Sequence, residues 1–163
     1  MTEGRPGAIR FEDAAVLIVG GTSGVGLAAA VKFAEAGVPR IAIVGRNAER
    51  GEAAVAQVRD AGPDCDVLFI SADANVASEA VRIVAGVVER FGSLEIVLNS
   101  TVGSAAPELL KNLPIDELES TLVQQAMGPI LVSRAALPYM VAAQRGVILN
   151  VASDAAKLAT PGE

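Results

Sequence analysis

Four glycines fall within Val16-Leu-Ile-Val-Gly-Gly-Thr-Ser-Gly-Val-Gly26. They follow a short apolar run and precede Leu27-Ala-Ala-Ala-Val-Lys-Phe-Ala-Glu-Ala-Gly37, which reads as a helix stopped by glycine. Strand, tight turn and helix in that order leave unpaired backbone N–H groups and the positive end of a helix dipole facing the turn, a seat for phosphate. Glycine there lets the backbone approach a pyrophosphate and lets helix and strand pack closely. A Walker loop would need Gly-Lys-Ser/Thr after four intervening residues. Gly21 and Gly26 have that gap, but Leu27 and Ala28 follow, so nothing reaches for terminal phosphates and a P-loop nucleotide hydrolase is disfavoured.

Further candidates follow at the ends of the later apolar runs. About twenty residues after the turn, where an NAD site carries an acid for the ribose hydroxyls, stand Gly45-Arg46-Asn47. A glycine at 45 avoids repelling a 2′-phosphate, and the Arg46 guanidinium offers a fork of donors to one. Replacing Gly45 by Asp together with Arg46 by Ala is therefore expected to move affinity from NADPH towards NADH. Asp73, in Ser71-Ala-Asp-Ala-Asn75, ends the third run. Asn99 ends the fourth and Ser153 follows the fifth.

The spacing Gly20-x-x-x-Gly24-x-Gly26 resembles the cofactor loop of the short-chain dehydrogenase/reductase family, with Val19 at the position of the usual threonine. Asn99-Ser-Thr-Val-Gly103, Ser133-Arg-Ala-Ala-Leu-Pro-Tyr-Met140 and Asn150-Val-Ala-Ser153 are similar to later family segments. The resemblance implies an NADP(H)-preferring oxidoreductase, with NAD(H) possible, that transfers hydride between nicotinamide and a small-molecule carbonyl or secondary alcohol. It places Gly20, Thr22, Ser23, Gly24, Val25 and Gly26 around the pyrophosphate, and Arg46 and Asn47 at the adenosine ribose. It sets Asp73 and Ala74 beside the adenine, and Asn99 as a brace of the central sheet. Asp73 is equally readable as a helix cap, as are Asn75 and Ser78. Ser153 matches the serine that hydrogen-bonds substrate; a strand-end cap is its alternative. Gln125 stands where the family has the asparagine of a proton relay, and a plain surface glutamine is the other reading.

In the family a Tyr-x-x-x-Lys pair follows that serine by a dozen residues or more, the tyrosine acting as general acid/base. The sequence reaches Glu163 before that distance, Tyr139 lies upstream with a packing or interface role, and Lys157 is too near Ser153. The expectation is a chain that binds dinucleotide and turns over poorly, the cofactor-binding part of an enzyme. The alternative is a non-catalytic dinucleotide-binding or sensor module. Family likeness also implies a homo-dimer or homo-tetramer.

These residues need a scaffold, and the sequence supplies alternating strands and helices. Strands are predicted at Ala14–Val19, Arg40–Val44, Asp66–Ile70, Leu94–Asn99 and Gly146–Val151. Helices are predicted over 25–37, 49–61 capped by Asn47, 76–91, and a long stretch 116–144 in which Pro129 and Pro138 threaten kinks. Most of the strands are continuously apolar, which means a parallel sheet covered on both faces. Right-handed crossovers then favour an α/β, doubly wound, Rossmann-like sheet of order 3-2-1-4-5 in one domain over 1–163.

Composition closes off other classes. The chain of 163 residues carries net charge −6 and 3% aromatics, which disfavours a nucleic-acid partner. With no histidine, serine–histidine catalysis and histidine metal sites are excluded. No apolar run is long enough to span a bilayer, and residues 1–10 lack a signal-peptide core, so the expected location is cytoplasmic. The single Cys65, beside a strand, reads as a packing residue.

Overall fold

The computed structural model describes residues 8–101, 109 and 111–153. Lys157 and Gly103, weighed above, lie outside these residues. The described elements are β1 (Ala15–Val19), α1 (Gly24–Glu35), β2 (Arg40–Gly45), α2 (Ala48–Ala61), β3 (Asp66–Ser71), α3 (Ala77–Phe91), β4 (Ile96–Asn99), α4 (Ile115–Ala142) and β5 (Val147–Asn150), after a 3-10 turn at Phe11–Asp13. The strands form one parallel sheet in the order β3-β2-β1-β4-β5. This is the expected order, with element ends shifted by one or two residues.

Strand alternation splits the core into two layers. Ala15, Leu17 and Val19 of β1 face a cluster built with Ile83, Val84 and Val87 of α3 and Val132, Ala136 and Met140 of α4. Val16 and Ile18 face the opposite cluster, with Ala30 and Ala34 of α1 and Ala54 and Val58 of α2. Both faces of β1 are buried, which is why its sequence is apolar without alternation. Small alanines in α1 and α2 let these helices lie close against the strands.

Helix α4 runs continuously through Pro129 and Pro138. Many of its large apolar residues stay exposed, among them Ile130, Leu137 and Val141. At the sheet edge Val147 and Leu149 of β5 are exposed as well, while Ile148 packs on the α3–α4 layer. The fourth strand begins at Ile96 rather than Leu94, although the Glu95 backbone still donates to Ala15 O and accepts from Val147 N, and the Glu95 side chain turns inward. Its carboxylate accepts hydrogen bonds from Ala15 N (2.7 Å) and Ser93 Oγ (2.9 Å) and pairs with Arg145 Nη2 at 2.9 Å. This knot, with Glu95 only 2% exposed, ties β1, β4 and the α4–β5 turn together at the N-terminal end of the sheet.

Candidate active site

At the other, C-terminal end, the helices that follow the paired strands β1 and β4, α1 and α4, lie on opposite faces of the sheet. Open α/β sheets bind ligands at such a switch point. A cavity of about 340 Å³ lies there. The turn after β1 forms one wall through Gly20, Thr22, Ser23, Gly24 and Val25. The end of β2 forms another through Gly45, Arg46 and Asn47, and the end of β3 supplies Asp73 and Ala74.

The turn is shaped by what glycine omits. Gly20 has φ +79°, the left-handed region, and a Cβ there would lie 2.7 Å from Ser100 O. A Cβ on Gly26 would lie 2.3 Å from Gly20 O, so α1 seats directly on the turn. Gly26 is buried beneath the cavity rather than lining it. The N-cap of α1, Ser23, is extended and makes no side-chain capping bond. The amides that open the helix are therefore left for an anion.

Asn47 caps α2 as expected, its Oδ1 accepting from Arg50 N at 2.8 Å. That start of α2 also brings Arg50 to the cavity wall beside Arg46. Sequence reasoning passed over Arg50; the signal was its place one turn into a helix that opens on Arg46. Asp73 is not the helix cap considered above. Helix α3 starts at Ala77 with Val76 as its N-cap and no side-chain cap. Instead Asp73 Oδ1 accepts from Asn75 N (3.0 Å) and Nδ2 (3.2 Å), an Asx-type turn that holds the loop at the cavity. Its own backbone N–H donates to Glu79 Oε2 at 2.6 Å.

Asn99 is 2% exposed and lies behind the cavity. Its Nδ2 donates to Asn150 Oδ1 at 2.9 Å, linking β4 to β5, and contacts Ser133 Oγ of α4 at 3.5 Å. Its Oδ1 is buried with no partner among the described residues. The other expected residues stand apart. Gln125 is exposed on α4, and Ser153 is exposed beyond β5; neither belongs to the cavity lining, although Val151 does. Ser100 and Thr101 complete the floor.

Cys65 is buried, and burial together with the Asp66 charge raises its thiol from 9.0 to about 11, which agrees with a packing role. Among the described residues, no acidic, cysteine or histidine cluster suits a metal ion, and no helix is long and apolar enough to cross a membrane.

Comparison with known proteins now adds to this geometry. The short chain dehydrogenase family model matches residues 14–163. An oxidoreductase of Thermotoga maritima is 33% identical over 153 residues, 94% of this chain and 59% of that protein. D-Threitol dehydrogenase of Mycolicibacterium smegmatis is 37% identical over 156 residues, 92% of this chain and 56% of the relative. Among solved structures, NAD+-bound xylitol dehydrogenase superposes with a TM-score of 0.88 at 27% identity, covering 94% of this chain and 58% of that one. The chain thus spans somewhat under three-fifths of the length of these relatives.

Proposed function

Because the chain belongs to the short chain dehydrogenase family, we propose that its cavity takes NADP(H). The diphosphate lies against the Gly20–Gly26 turn, and the 2′-phosphate lies against Arg46 with Arg50 as a second donor. One observation carries this reading: Arg46, Arg50 and the uncapped start of α1 border the same cavity, with glycine rather than an acid at 45. Two phosphate-type anions would meet helix amides on one side and two guanidinium groups on the other. Xylitol dehydrogenase binds NAD+ in its own structure, so cofactor choice here rests on residues 45 to 50 and not on the neighbour.

The bound nicotinamide supplies or accepts the hydride. The chain's residues bind and orient. Asp73 and Ala74 border the adenine. Asn99 fixes the spacing of β4 and β5 beneath the nicotinamide side, and Ser153 positions a carbonyl or secondary alcohol. Gln125, exposed on α4 and outside the cavity lining, keeps both readings given above, the relay position and a plain surface glutamine. The whole reaction is reversible carbonyl reduction on a small molecule, and the exposed apolar residues of α4 support self-association as a dimer or tetramer.

The test is a pair of titrations with NADPH and NADH on wild type and Arg46→Ala. Loss of a charged hydrogen bond worth about 1.5–3 kcal/mol lowers NADPH affinity about ten- to a hundredfold and leaves NADH affinity nearly unchanged. Equal effects on both coenzymes would refute the assignment.

A further inference from the structure

We propose that Thr22 is a specificity-determining residue: it sets the cofactor class by filling the space above Gly45. The inference rests on the NADP(H) reading of the cavity. An acid at the end of β2 would accept hydrogen bonds from the ribose hydroxyls and repel a 2′-phosphate. What keeps an acid out is visible across the cavity wall. A Cβ built on Gly45 would lie 2.6 Å from Thr22 Cγ2 and 2.8 Å from Thr22 Oγ1. Gly45 is paired within β2 and lies outside the left-handed region, so its conformation does not require glycine. Space does.

Rotation of Thr22 does not release that space. A threonine side chain fills two of the three staggered positions on its Cβ. Both positions nearest Gly45 are filled here, and every other rotamer still leaves one of them occupied. Serine has a single γ atom, and one rotamer clears both positions. The Thr22 Cβ itself, at 3.3 Å, has to give by only a few tenths of an ångström. The methyl of Thr22 and the missing side chain of Gly45 are therefore one feature, not two. Exchange of residue 45 alone fails for a steric reason, and the simple Gly45→Asp with Arg46→Ala exchange expected from sequence is not a clean switch.

A double-mutant cycle tests this with wild type, Thr22→Ser, Gly45→Asp and the double variant, each measured for melting midpoint and for NADH and NADPH dissociation constants. Gly45→Ala, alone and with Thr22→Ser, probes the same clash with a Cβ only and serves where the aspartate variant does not fold. Overpacking lowers the midpoint of either single variant at 45 by about 3–10 °C. Adding Thr22→Ser recovers most of that fall. With aspartate at 45 it also tightens NADH binding at least about tenfold over Gly45→Asp alone, while NADPH binding stays weak. A Gly45→Asp protein that melts like wild type and binds NADH as tightly as the double variant overturns the proposal while leaving the cavity assignment in place. Failure of wild type to bind either coenzyme overturns it from beneath, through the cavity assignment itself.

Discussion

Removing the Glu95 carboxylate should destabilise this chain without touching its cavity. Glu95 is 2% exposed and answers three donors: Ala15 N, Ser93 Oγ and Arg145 Nη2. In Glu95→Gln the amide has one oxygen left as an acceptor. If that oxygen stays with Ala15 N and Ser93 Oγ, the amide NH₂ faces the Arg145 guanidinium, donor against donor. A charge-assisted bond worth about 1.5–3 kcal/mol is lost, partly offset because an amide costs less to bury than a carboxylate. The expected net loss is about 1–3 kcal/mol. In Glu95→Ala the Ala15 N–H is stranded and a cavity opens, so the loss rises to about 3–5 kcal/mol. Arg145→Met leaves a buried carboxylate, but the Arg145 side chain is 41% exposed, so water reaches that end and the cost stays near about 1–3 kcal/mol.

The assay is reversible urea unfolding of the three variants and of Glu95→Gln/Arg145→Met. Residues in contact should not add, so the double variant loses clearly less than the sum of its singles. At about 2–4 °C per kcal/mol for a chain of this size, thermal midpoints order the same way. Dinucleotide affinity should hold, because Glu95 precedes β4 while the cavity lies past the other end of the strands. Losses under about 0.5 kcal/mol for both Glu95→Gln and Arg145→Met would refute the account of a buried, mutually dependent pair. Lost cofactor binding in a folded variant would refute the separation of the two ends.

Two further outcomes follow from the same geometry. Gly26→Ala puts a Cβ 2.3 Å from Gly20 O and must push α1 off the turn, so affinity for either coenzyme should fall more than about tenfold, measured by calorimetric titration; retained affinity would disconnect the turn from binding. Cys65 should resist alkylation by iodoacetamide at pH 7.5 in the folded chain and react readily in urea. Its thiol is raised from 9.0 to about 11 on folding, so this contribution to stability is present below pH 9 and is lost as pH rises towards 11; rapid labelling of folded protein would contradict the burial.

What the sequence made legible was local. The glycine turn, the Asn47 cap and the amphipathic α3 each announce themselves within about a dozen residues, through glycine spacing, a cap-type residue and helical periodicity. The strand order followed from handedness once five apolar runs were found. What stayed hidden depends on pairs distant in sequence. Leu94-Glu-Ile-Val-Leu-Asn99 reads as a strand, and nothing nearby says that Glu95 will meet Arg145, fifty positions on. Asp73 and Asn75 have cap chemistry, but which of cap or Asx turn they form depends on where α3 begins, and Val76 takes the N-cap position. Arg50 was one turn from a residue already chosen, yet only the closing of α2 onto β3 turns it to the cavity.

Thr22 and Gly45 make the same point for function. Each residue alone admits a bland reading, a turn threonine and a strand-end glycine. Their meaning comes from their contact: a Cβ on Gly45 would lie under 3 Å from two side-chain atoms of Thr22. A neutral residue at the end of β2 is then not a free choice that one exchange could reverse. On the assignment proposed above it is held there by the turn given to the diphosphate, so the contacts to the diphosphate and to the adenosine ribose come from parts of the chain that cannot change independently. Altering cofactor class in this scaffold therefore begins at Thr22, which reaches from the glycine turn to the end of β2 beside Arg46.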